Sequence, residues 1–132
     1  MPSIDPAPPA PRMDPAILAA RRARFMEQIG DGVCVLPGPH EALRSGDVHY
    51  RFRQDSDLLY LTGFEEPDTV AVLAPGHPRT RFVLFVRPRD PAAETWTGRR
   101  SGVEGAVERF GADVAYPIGD LDKVLPGLIE GN

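Results

Sequence analysis

TVAVLAPGHPRTRFVLFVR, residues 69 to 87, contains two runs dense in Val, Leu and Phe, Thr69 to Ala74 and Arg81 to Arg87, on either side of the connection PGHPRT. β-Branched and aromatic side chains suit a pleated surface, and Pro, Gly and polar residues between two such runs have the composition of a hairpin connection. The stretch therefore predicts two adjacent antiparallel strands. Upstream, Asp55 or Ser56 is placed to cap a short helical turn through Leu58, Leu59 and Leu61, with Gly63 as its left-handed exit. Val33 to Leu36 reads as a buried strand stopped by the turn-forming Pro37 to Pro39, and Tyr50 to Arg53 as a shorter one. Further back, Asp14 followed by Pro15 starts a helix, because an acceptor at the cap precedes a residue whose missing N–H costs nothing there, and Gly30 ends it. Leu18, Phe25, Met26 and Ile29 share one face of that helix, and Arg22 falls in the same arc. Its charge either snorkels to water or meets a carboxylate or backbone carbonyls beneath the helix, Asp55 and Asp57 being the candidate carboxylates.

Downstream, Ser101 and Glu104 have the spacing of a capping box, and Val103, Ala106, Val107 and Phe110 repeat at helical intervals until Gly111. A short strand at Val114 to Tyr116 precedes an amphipathic helix carrying Leu121, Val124, Leu125, Leu128 and Ile129, in which Pro126 predicts a kink or a restart. Strands interleaved with helices, some of them hairpin-paired, give an α/β domain with a mixed sheet flanked by helices.

A chain of 132 residues with 42% hydrophobic content supports one core and one domain, read here as residues 14 to 132. Residues 1 to 13 begin MPSIDPAPPAPR, with five prolines and little to bury, and read as an extended, mobile arm. The net charge of −4 is spread along the chain, which argues against nucleic-acid or anionic-membrane partners. No apolar run approaches the roughly 18 to 20 residues that span a bilayer, and no signal-peptide pattern opens the chain, so a soluble cytoplasmic protein is expected. The single cysteine, Cys34, excludes an internal disulfide; between Val33 and Val35 it reads as a buried, inert thiol.

The residues on their own spell no complete catalytic set. His40, His49 and His77 lack partners at the spacing that builds a metal face on a helix, and there is no nucleophile elbow and no phosphate loop. Asp55 and Asp57 suit capping better than acid/base work, and Glu65 and Glu66 before Pro67 read as a solvated turn. ETWTGRR, Glu94 to Arg100, places the only tryptophan beside two arginines. Two readings stand: a surface turn whose indole anchors in the core, or a recognition patch, since Trp and Arg dominate binding hot spots.

YRFRQDSDLLYLTGFEEPD, Tyr50 to Asp68, resembles the signature of the N-terminal domain of Xaa-Pro aminopeptidases (aminopeptidase P), in the wider creatinase and prolidase family. RRARFMEQ at Arg21 to Gln28, RPRDPAAETWTGRR at Arg87 to Arg100 and SGVEGAVERFGAD at Ser101 to Asp113 extend the resemblance collinearly over roughly Ala16 to Ile129. Arg51 and Phe52 stand where many members have a proline and a tyrosine. The resemblance implies a mixed sheet flanked by helices, the smaller domain of a cytosolic metallopeptidase that removes the first residue of peptides whose second residue is proline. In that family the catalytic residues and two divalent metal ions, usually manganese, belong to a C-terminal domain of the pita-bread fold. The 132 residues then hold no catalytic residue and no metal or other cofactor, and the chain reads as one domain of a longer enzyme. The implied partners are that C-terminal domain, other subunits of a homo-oligomer, and proline-containing peptides. Two positions carry over as substrate-facing: Asp47 and Trp96 match residues that approach the active site of a neighbouring subunit. The resemblance thus implies a non-catalytic domain serving oligomer assembly and substrate-channel closure. The alternatives are the same domain of a prolidase or other creatinase-family enzyme, or a stand-alone binding module of the same fold.

Overall fold

Both apolar runs form strands, and they pair antiparallel: β2 (Val70–Leu73) lies against β3 (Phe82–Val86), with Val72 opposite Val83 and Val70 opposite Phe85. The structure is a computed structural model that describes residues 11, 13–39, 54–77, 79–97 and 99–130. β1 (Cys34–Pro37) adds antiparallel to the outer edge of β2, and β4 (Val114–Pro117) adds parallel to β3, giving a four-stranded mixed sheet in the order β1-β2-β3-β4. Among the described residues, the strand at Tyr50 to Arg53 cannot be placed, because it lies outside them, as do residues 1–10 and 12 of the Pro-rich arm.

The central strands are buried throughout, and their alternation sorts two cores. Ala71, Leu73, Phe82, Leu84 and Val86 face α1 (Pro15–Ile29), α2 (Ser56–Thr62) and α4 (Gly102–Glu108), through Phe25, Leu58, Leu61, Ala106 and the loop residues Phe64 and Phe110. The last two rings meet edge to face with centroids 4.7 Å apart. Val70, Val72, Val83 and Phe85 face α5 (Leu121–Glu130) through Leu121, Val124, Leu125 and Leu128. A parallel β3–β4 pair needs a crossover, and α3 (Pro91–Thr97) and α4 lie in it.

The predicted helix ends are largely those found. Asp14 Oδ1 accepts from the Ala16 N–H at 2.9 Å, Asp55 Oδ2 accepts from Leu58 N–H at 3.1 Å, and Gly63 closes α2 in the left-handed conformation at φ 68°. Two expectations need correction. The capping box at Ser101 does not form: its side chain makes no cap bond, and its own N–H, which Glu104 would have taken, goes instead to Glu66 Oε2 at 2.9 Å. Gly102, at φ +69°, turns the chain at that point into a conformation that the box does not use. Val107, read as part of the apolar face of α4, is exposed. Of the kink or restart expected at Pro126, the restart does not occur: α5 continues through the proline, where the lost N–H affects one carbonyl while four apolar side chains hold the helix on the sheet.

Of the partners expected for Arg22, the structure supplies a backbone carbonyl and not a carboxylate. Arg22 is 7% exposed, so it does not snorkel, and neither Asp55 nor Asp57 is its partner. Its Nη1 donates to the Leu61 carbonyl at 2.9 Å, and its guanidinium lies 4.3 Å from the Phe82 ring centroid. Burial lowers its pKa, and the charge of Asp113 opposes that shift. Asp113 also joins the strands, since its carboxylate accepts from the Arg81 and Phe82 N–H groups and its N–H donates to the Phe82 carbonyl.

Candidate functional site

Trp96 lies in the last turn of α3, a helix that the sequence reading took for a surface turn. The overlooked signal is the same one that starts α1: Asp90 and Pro91 repeat the Asp14–Pro15 pattern. Asp90 Oδ1 accepts from Ala93 N–H at 3.3 Å, and Thr95 Oγ1 donates to the Pro91 carbonyl at 3.0 Å.

Two carboxylates hold the segment that carries this helix. Glu94, with a side chain only 7% exposed, takes the Arg89 Nε at 2.8 Å and the Arg100 N–H at 2.7 Å on one oxygen, and the Asp90 N–H at 2.8 Å on the other. Burial alone would raise its pKa. The donated hydrogen bonds of Arg100, Arg89 and Asp90, with the Arg89 charge, outweigh it and hold the carboxyl below the usual carboxylate range. Glu66 grips the same segment from the loop after α2: its Oε1 lies 3.4 Å from Arg87 Nη2, and its Oε2 accepts from Ser101 N–H. The reading of Glu66 as part of a solvated turn is therefore corrected, for its side chain is 12% exposed and paired; Glu65 is exposed. The sequence offered no local signal for this, because the partners stand 21 and 35 residues away.

The same loop also anchors the flanks of the stretch that contains Asp47. Gln54 Nε2 donates to the Phe64 and Glu66 carbonyls, Gly38 N–H donates to the Thr69 carbonyl at 2.7 Å, and Asp68 N–H donates to the Pro39 carbonyl at 3.1 Å. Asp47 itself, with His40 and His49, lies outside the described residues, and so does the side chain of Trp96. The loop from Phe64 to Thr69 is thus the common base of both segments.

The family model described as aminopeptidase P, N-terminal domain, matches residues 18–132. The chain belongs to that family. It is 40% identical over 111 residues to the Xaa-Pro aminopeptidase of Haemophilus influenzae, covering 83% of this chain and 26% of that protein. To the intermediate cleaving peptidase 55 of Saccharomyces cerevisiae it is 42% identical over 116 residues, covering 85% and 23%. Its structure superposes on the Pseudomonas aeruginosa aminopeptidase PepP with a TM-score of 0.83 at 46% identity, covering 89% of this chain and 27% of that one. Escherichia coli aminopeptidase P with the inhibitor Pro-Leu gives a TM-score of 0.79 at 36% identity, covering 88% and 27%. The chain thus spans about a quarter of the length of the relatives it matches.

Among the described residues no three His, Cys, Asp or Glu side chains converge on one point. His77 is engaged locally by Thr80, whose hydroxyl is 2.7 Å from Nδ1. Cys34 is half-buried, and burial followed by the charge of Asp57 pushes its thiol pKa up, which suits an unreactive thiol. Among the described residues no helix is long and apolar enough to cross a membrane.

Proposed function

We propose that this aminopeptidase P N-terminal domain serves, without catalysing, an Xaa-Pro aminopeptidase in which a separate C-terminal domain holds two divalent metal ions, manganese by family pattern. Its tasks in that cytoplasmic enzyme are subunit assembly and closure of the substrate channel, with Trp96 and Asp47 turned toward the peptide in a neighbouring subunit. The observation that carries this reading is the two-carboxylate clamp around α3. A short helix bearing the only tryptophan is fastened at its base by polar contacts, which suits a side chain presented to a partner. An exposed indole offers an apolar face to a proline ring and an N–H as a polar handle.

The test is Trp96→Ala in the full-length enzyme. The expected result is a fall in kcat/KM toward Xaa-Pro peptides of about tenfold or more, the equivalent of roughly 1.4 kcal/mol, with the melting temperature nearly unchanged. Normal kcat/KM in a variant of lowered stability returns the residue to a core role. The comparable identity to an intermediate cleaving peptidase supports a second reading of the parent's specificity. Peptides with and without proline as second residue, compared on the full-length protein, separate the two.

A further inference from the structure

Between β3 and α4 the chain leaves the sheet at Arg87, forms α3, and returns at Arg100 and Ser101. Both crossing points are held by carboxylates: Arg87 and the Ser101 N–H by Glu66, Arg89 and the Arg100 N–H by Glu94. Two consecutive N–H groups at the return therefore point to two different carboxylates, one on the segment itself and one on the loop after α2. The backbone N–H groups of the return close the loop, and the Arg100 guanidinium adds a bond from Nη1 to the Pro88 carbonyl at 3.3 Å. Glu94 has the tighter grip. Its carboxylate takes two backbone N–H groups ten residues apart in sequence and a guanidinium, and both of its oxygens are used as acceptors.

We propose that Glu94, with Glu66 as the second anchor, is a positioning residue that fixes α3 and thereby sets where Trp96 is presented. This deepens the reading of Trp96 as a substrate-facing residue and rests on it for its consequence in catalysis. Glutamine cannot replace Glu94, for a chemical reason. Whichever way the amide is turned, its NH2 group faces a backbone N–H, that of Arg100 or that of Asp90, and two donors cannot bond. One end of the loop is released in either orientation. The charged groups about the carboxylate are Arg89, Arg100 and Asp90 on its own segment, with Glu66 and Arg87 across Ser101. The ionised form makes all the contacts. Their contribution is present above the ordinary carboxylate range and is lost as pH falls through the depressed folded pKa.

Trp96 is the only tryptophan, so its fluorescence reads the segment directly. In the 132-residue chain, acrylamide quenching and fluorescence anisotropy of Trp96 are measured for the wild type, Glu94→Gln and Glu66→Gln, with far-UV circular dichroism as the control for fold. The expected result is a lowered anisotropy and a changed quenching constant in Glu94→Gln, a smaller change in Glu66→Gln, and an unchanged far-UV spectrum. Wild-type quenching and anisotropy in a folded Glu94→Gln overturn the proposal. If that variant loses its far-UV signal, acid titration of the wild type decides. Release of Trp96 before the far-UV signal changes supports the clamp, and release only together with global unfolding overturns it. The substrate reading fails separately: a released Trp96 in Glu94→Gln alongside normal kcat/KM for Trp96→Ala in the full-length enzyme leaves the clamp standing and removes its catalytic consequence.

Discussion

Arg22 shows how one side chain can tie together elements distant in sequence. Its head sits under α1 against the α2 carbonyl of Leu61, the β3 ring of Phe82 and the charge of Asp113 at the entry to β4. A Cβ on Gly111, which follows α4, would come within 3.2 Å of the same guanidinium. Four elements thus converge on a cation that no carboxylate neutralises by direct hydrogen bond among the contacts described. The cation–π contact and the carbonyl compensate for part of the desolvation. Arg22→Ala should therefore destabilise the domain by about 2 to 4 kcal/mol, combining a lost buried stem with a Leu61 carbonyl left without its partner. Arg22→Met keeps most of the stem and should cost roughly half as much. Urea denaturation of both variants checks this; equal and negligible losses would mean that the guanidinium contributes nothing.

At the scale of elements, what was legible in the sequence was whatever has a local cause. Asp14–Pro15, Asp55 with Gly63, and the paired apolar runs each state their structure within a few residues, and α1, α2, β2 and β3 follow them. α3 has an equally local cause at Asp90–Pro91, the same pair of residue types that starts α1. What could not be read was tertiary: the Ser101 N–H that ignores Glu104 for Glu66, and the Arg22 contacts 39 and 60 residues away at Leu61 and Phe82. Glycines mark the same division. At Gly63, in the left-handed conformation that ends α2, an added Cβ would lie 2.8 Å from Leu18 Cδ1 and 3.1 Å from Pro11 Cβ. Gly63→Ala should cost about 1 to 3 kcal/mol through strain at positive φ and displacement of the buried Leu18. Gly127, inside α5 with nothing within 4 Å of its would-be Cβ, should gain about 0.5 to 1 kcal/mol as alanine. Melting temperatures moving in opposite directions for the two variants would bear out the distinction; a shift of the same sign in both would refute it.

For the molecule as a whole, the sheet is spent on stability rather than on chemistry. Its two central strands are buried on both faces, and the polar side chains near them are committed: Asp113 to strand N–H groups, Gln54 to carbonyls, Thr69 to the Glu66 and Pro67 carbonyls, Glu66 to an arginine and a backbone N–H. Peptide hydrolysis needs a water activated by a base or a metal, together with a group that stabilises the developing oxyanion. A two-metal site holds its ions about 3.5 to 4 Å apart, with carboxylates and histidines converging on both. Among the described residues no three such ligands meet, and the carboxylates that are well held are held by arginines and N–H donors, which occupy the lone pairs that a metal would use. The 132-residue chain incubated with manganese and a proline-containing tripeptide should therefore release no amino acid above a buffer control, and calorimetric titration with manganese should show no stoichiometric heat. On the reading proposed above, the same peptide given to the full-length protein is cleaved, and that contrast would locate the chemistry outside this domain. Metal-dependent turnover by the purified chain, scaling with its concentration, would show instead that residues outside those described complete a site.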